Sequence, residues 1–277
     1  MPARAVLFGL ICALIPMRAF AETNVAAIRV AHFEVLSQQF ATARKVDSQS
    51  PPNQTEKPEV EHHRTKLFRD FAPKFLALAE ENPTDEAALR CCEWIIAYGI
   101  PSGSDREFYE ADCTAWKMIG QHQTFSERMP LLCAKAAQFP TEERERFLRA
   151  LPNDYRQPVE VHGMAFLALA DLLVKRCQLA ADAKLTLEKS SPEWRDYIAS
   201  GDPQQLLAES EELYRHVLAH YSEHPFPING LGNTESQTLG ELATQKLAAL
   251  EKPVREGKTL REETTSAFDG SDHLSGN

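Results

Sequence analysis

The chain has 277 residues, 43% of them apolar, and a formal charge of −10. That apolar content is enough for a packed core and argues against wholesale disorder, and the length suits one large or two small domains. The acidic balance argues against nucleic acid as a partner, because binding to phosphate backbones depends on Lys and Arg releasing counterions.

At the N-terminus, Arg4 precedes an apolar run from Ala5 to Ile15 and the small-x-small exit Ala19-Phe20-Ala21. This order is that of a secretory signal peptide over residues 1–21, cut between Ala21 and Glu22. The run is interrupted by Pro16 and Arg18 and falls short of the roughly 20 apolar residues that cross a bilayer. Gly9 stands where a lipoprotein signal wants Leu, which argues against lipid attachment at Cys12. The expected destination is the periplasm or the extracellular medium, with no membrane span after cleavage. Cleavage removes Arg4 and Arg18 but no acid, so what remains is more acidic by two charges.

Beyond the leader, apolar residues return at helical steps and almost never alternate as in strands. Residues 22–46 read as an N-terminal helix with Val25, Ile28, Phe33, Leu36 and Phe40 on one stripe. Residues 47–64, with Pro51, Pro52 and Pro58 among Ser and Asn, read as a linker. A helical domain is expected over 65–252. It begins with a hairpin, Lys66 to Glu81 and Glu86 to Tyr98, joined by Asn82-Pro83-Thr84-Asp85, where Thr84 or Asp85 caps the second helix. Pro73 predicts that the first of the pair starts near Phe71 or bends there.

Further helices are expected at 108–120, at 125–139 and, entered through Pro140, at 141–151. The helix over 159–179 is the most apolar and therefore central. Ser191-Pro192-Glu193 and Gly201-Asp202-Pro203 punctuate the next stretch. A long amphipathic helix over 204–221 carries Leu207, Leu213, Val217 and Tyr221 inward, and a last one follows over 238–250. Residues 253–277 read as a flexible tail. The repeated Phe-Leu-Ala-Leu-Ala at 75–79 and 166–170 is a short echo of common helix formers.

Five cysteines follow the leader: Cys91, Cys92, Cys113, Cys133 and Cys177. In an oxidising compartment an odd number leaves at least one thiol unpaired. Cys91 and Cys92 point about 100° apart on a helix and do not readily bridge. The spacing leaves open a Cys113–Cys133 or Cys92–Cys177 bridge beside the reading of buried, reduced thiols.

The run from Phe71 to Pro83, with Ala87, Ala88, Leu89 and Trp94, resembles the helical region in front of the thioredoxin-like domain in secreted bacterial redoxin, or TlpA-like, proteins. So do His122, Ser126, Met129 and Cys133, and the helix Val161 to Ala170. The resemblance covers about Val25 to Leu250 and rests on packing patterns. It implies a signal-led helical module, tetratricopeptide-like in shape. The redox sheet is missing, and so is any Cys-x-x-Cys, so thiol–disulfide chemistry does not carry over.

The sharpest candidate for chemistry is His216, His220 and His224, with Glu212 one turn earlier. Residues four apart share a helix face, so His216 and His220 are candidate zinc or copper ligands, with Glu212 or His224 as a third. His62 and His63 are adjacent and do not converge on an ion. A nucleophile made of Cys133 and His122 lacks an orienting third group. Glu142, Glu143, Arg144, Glu145 and Arg146 read as a solvated face. No phosphate loop, nucleophile elbow or His-Glu-x-x-His occurs. No catalytic residue or cofactor is implied.

The expected fold is all-α, with antiparallel helix hairpins packed as a helical array. The expected role is an exported, non-catalytic scaffold for a protein or peptide partner. The alternative is an accessory of thiol-redox metabolism.

Overall fold

A computed structural model describes residues 24–45, 57–99, 106–122, 126–186, 191–226 and 237–255, with side chains omitted at 57–64, 182–186 and 251–255. The described residues form an all-α helical array. Its only extended pairing among them is an isolated bridge between Pro225 and Thr238. The expected leader (1–21), Pro51, Pro52 and the tail beyond 255 lie outside the described residues.

The chain divides into two compact units, residues 1–99 and 100–277, where the sequence reading drew one domain over 65–252. In the first unit, α1 (24–45) accompanies the hairpin of α2 (Lys57–Glu81) and α3 (Glu86–Tyr98). Helix α2 begins at Lys57, so residues 57–64 belong to it and not to the linker. Pro58 falls in its first turn, where a missing N–H costs nothing, and Pro73 is carried inside the helix with its ring exposed. Asp85 is the cap of α3, accepting the Ala88 N–H at 2.9 Å.

Trp94 centres this unit. Phe75 stacks on it at 4.1 Å, Phe68 at 5.9 Å, and Phe40 meets it edge-on at 4.8 Å. Helix α1 turns the later part of its expected stripe inward, with Phe33 half-buried against Phe75, but not the first part. Val25 and Ile28 are exposed, while Arg29, Leu36 and Phe40 are buried. Arg29 gives the reason: its guanidinium donates to Asp85 at 2.6 Å, to Glu81 and to the Leu78 carbonyl, clamping α1 onto the hairpin.

The second unit is built around α7 (Val159–Thr186), which packs against α5 (Met129–Ala136), α6 (Glu142–Ala150), α8 (Pro192–Ala199), α9 (Pro203–Tyr221) and α10 (Leu239–Arg255). Its central place follows from its sequence: Met164, Ala165, Leu169, Ala170, Leu172 and Leu173 leave little polar surface. Helix α4 (Arg106–His122) packs on α6, and a 3-10 turn at Leu151–Asn153 closes α6.

Helix α8 lies in the stretch read only as punctuation. Ser191 caps it through the Trp194 N–H at 3.2 Å and Pro192 opens it, so a start signal was mistaken for a break. Helix α10 opens with a reciprocal capping box: Thr238 Oγ1 accepts the Glu241 N–H, and Glu241 Oε2 accepts the Thr238 N–H.

On α9 the buried positions are Leu206, Ser210, Tyr214 and Val217. The apolar stripe is thus rotated from the expected one, and Leu207, Leu213 and Tyr221 are half-buried. The rotation follows Tyr214, whose hydroxyl donates to Asp171 on α7 at 2.5 Å.

Candidate functional site

Charged side chains bind the second unit's helices together. Arg144 on α6 is 4% exposed and donates through Nε and Nη2 to both oxygens of Asp112 on α4, at 2.9 and 2.6 Å. It also donates to the Lys135 carbonyl at 3.0 Å and lies 5.2 Å from the Trp116 ring centre. The charge run at 142–146 is therefore not a uniformly solvated face.

Glu145, one residue on, is shared by three donors. Oε1 accepts from Arg149 at 2.9 Å, and Oε2 accepts from Arg176 at 3.0 Å and the Tyr197 hydroxyl at 2.6 Å. Arg176 on α7 continues to the Tyr197 carbonyl and Ser200 Oγ of α8, while its guanidinium lies 4.0 Å from the Tyr197 ring centre. Arg149 reaches on to Glu209 of α9. Burial, then the Glu145 charge, pushes the Tyr197 phenol up, so it stays a donor across the physiological range.

Above this network opens a cleft of about 730 Å³. Arg176, Tyr197 and Glu145 line it together with Arg146 of α6 and Glu193 and Asp196 of α8. The frame is set by charge-assisted bonds that engage both oxygens of Glu145, while Arg176 Nε is buried with no hydrogen-bond partner among the described residues. A second cavity, about 440 Å³, is bordered by Gly120, Phe147, Leu151 and Tyr155, a residue that is 90% exposed.

No disulfide joins Cys91, Cys92, Cys113, Cys133 and Cys177, so neither the Cys113–Cys133 nor the Cys92–Cys177 bridge is formed. Burial pushes Cys91, Cys92 and Cys113 up to about 12, and raises Cys133 and Cys177 as well. An unfolded thiol titrates near ~8.5, so these groups add stability that is intact below that pH and is lost as pH rises toward the folded values. We expect the urea midpoint to hold from pH 7 to 8 and to fall between 9 and 10, with a smaller alkaline slope in Cys92→Ala. A flat profile through pH 10 would show that the thiols are not desolvated.

The histidines are only partly brought together. His216 and His220 lie 4.5 Å apart by ring centres, and His216 meets Phe166 of α7 edge-on, also at 4.5 Å. Burial, then His220, lowers the His216 pKa. His224 turns instead toward Glu160, at 3.7 Å. Among the described residues no three His, Cys, Asp or Glu side chains group as metal ligands, so neither Glu212 nor His224 completes the pair. His122 is exposed at the end of α4 and Cys133 is fully buried in α5. His162 contacts the Asp154 carbonyl at 3.0 Å, an ordinary hydrogen-bonded helix histidine. The side chains of His62 and His63 lie outside the described residues.

Sequence reasoning missed Arg29, Asp112 and Arg176. The signal was present for Arg144, because Arg144, Phe147, Leu148 and Leu151 recur at helical spacing and put the arginine on the apolar stripe. For Arg176 it was weaker, since its partners on α6 and α8 are 21 to 31 residues away. No helix among the described residues is long and apolar enough to cross a membrane. No protein-family description, curated protein or solved structure matches this chain.

Proposed function

We propose that this chain is an exported, non-catalytic interaction protein that takes a protein or peptide partner in the cleft between α6 and α8. The supporting observation is the cleft's build: a concavity of about 730 Å³ whose floor is braced by Arg176, Glu145 and Tyr197 across three helices. A braced floor holds its walls in place, and little ordering is then needed when a partner binds. The walls offer charge on both sides, Arg146 from α6 and Glu193 and Asp196 from α8, which suits a polar chain segment better than an apolar small molecule.

Thiol-redox work is less well supported. An attacking cysteine has to be a thiolate, and desolvation holds all five thiols protonated at neutral pH.

The test is affinity capture from the exported fraction with the wild type and with Glu193→Lys/Asp196→Lys. A partner retained by the wild type and lost by the charge-reversed protein is the expected result. No retained partner, or one held equally by both, sinks the assignment. Mass spectrometry of the exported product should give Glu22 as its first residue; an intact leader would remove export from the proposal.

A further inference from the structure

Helix α9 carries a feature that the cleft does not use. His216 and His220 are one turn apart, on the flank of α9 beside Phe166 and Tyr221, with His220 exposed and His216 half-buried. The ring of His216 is fixed on one side by the edge-on Phe166 ring and on another by Tyr221, at 5.8 Å. Such packing holds one imidazole in a single orientation, and pre-orientation is what a chelating pair requires.

The spacing of the two rings can be compared with what an ion demands. An imidazole nitrogen binds a first-row divalent ion at about 2.0–2.1 Å, which places each ring centre ~3.2 Å from the metal. Two such ligands at a right angle have centres ~4.5 Å apart, and two at a tetrahedral angle have centres ~5.2 Å apart. The observed separation is 4.5 Å. The right-angled pair belongs to tetragonal sites, which copper(II) and nickel(II) favour, and copper(II) tops the affinity order for nitrogen donors.

We propose that His216 and His220 form a two-imidazole chelate for copper(II) on the outer flank of α9, with the remaining coordination positions open to water. Its neighbours suit a cation. Glu212 precedes His216 by one turn, and Glu160 lies by His224 at the end of the helix. A bound ion would also pin the last two turns of α9 against fraying, since it joins residues four apart on one face.

The test is titration of the full exported chain with copper(II) alone at pH 7.5 in a non-coordinating buffer, followed by electron paramagnetic resonance and calorimetry. Three proteins are compared: wild type, His216→Ala/His220→Ala, and His62→Ala/His63→Ala as a control for other histidines. The expected result is one equivalent of copper with two nitrogen ligands in the wild type and in the control, and loss of that equivalent in the α9 variant with an unchanged circular dichroism spectrum. Zinc(II) should bind more weakly than copper(II). Equal uptake by the α9 variant, loss of the equivalent in the control, no uptake by the wild type, or zinc binding tighter than copper would each overturn the proposal.

Discussion

Arg144→Met should cost the second unit about 3–5 kcal/mol, the usual range when one partner of a buried ion pair is removed. Asp112 has an 11% exposed side chain and takes both its strong bonds from this guanidinium. The substitution leaves a largely desolvated carboxylate without its cation, and it removes the donor to the Lys135 carbonyl. Loss of the cation above Trp116 adds a smaller term, about 0.5–2 kcal/mol for a desolvated pair. Hydrogen exchange resolved by segment is the suitable measurement, because a chain with two units need not unfold in one step. Protection should fall in α4, α5 and α6 and stay unchanged in α2 and α3, which belong to the other unit. The double replacement Arg144→Met/Asp112→Leu should recover most of the loss, since apolar groups of similar volume often replace a buried pair at little cost. A single variant as stable as the wild type would mean that the pair is hydrated and holds nothing.

The helical array was legible because its signals are local. Apolar recurrence in α7, the Pro83 stop and the Asp85 cap all act within a few residues. Helix α8 was missed for the same reason in reverse: Ser191-Pro192 is both a chain break and a helix start, and only Trp194, Tyr197 and Ile198 buried on one face decide between them. Arginine caused the larger errors. Arg29 and Arg144 sit where a hydrophobic residue belongs, and a pattern of apolar letters reads each as a gap in the stripe. Their acceptors come from other helices, Asp85 and Asp112, 56 and 32 residues away. No window of sequence holds both halves of such a pair. The rotation of α9 has a similar origin, because Tyr214 pairs with Asp171 43 residues earlier.

Legibility was partial at the histidine pair as well. Four-residue spacing put His216 and His220 on one face, and the structure sets their rings 4.5 Å apart. It could not show that Phe166 would come from α7 to hold the first ring, or that His224 would turn to Glu160. The cleft between α6 and α8 had no sequence signature, because its walls are contributed by helices whose charged residues look alike whether they line a groove or face bulk water.

Gly240→Ala should destabilise the packing of α10 on α9 by about 1–3 kcal/mol, the range for forcing atoms into a filled contact. A Cβ built at this position would stand 2.8 Å from Ser222 Cβ, and 2.9 Å from both Ser222 Cα and its carbonyl oxygen. Two of these three are backbone atoms, which cannot rotate away. The carbonyl also accepts the Gly240 N–H at 3.3 Å, and the neighbouring Leu239 N–H donates to the His224 carbonyl at 2.9 Å. The start of α10 is thus tied to the end of α9 by main-chain bonds that any outward shift would lengthen. The contrast with Gly163 sharpens the expectation. A Cβ there meets the Leu239 and Tyr221 side chains, and the nearest contact, the Leu239 methyl, can move by a change of rotamer. Gly163→Ala should therefore cost less than Gly240→Ala. Adding Ser222→Gly removes the Cβ contact but leaves Cα and oxygen in place, so it should restore only a small part of the stability lost in Gly240→Ala. Full restoration would show that the side chain alone was in the way and that the two helix ends can separate freely.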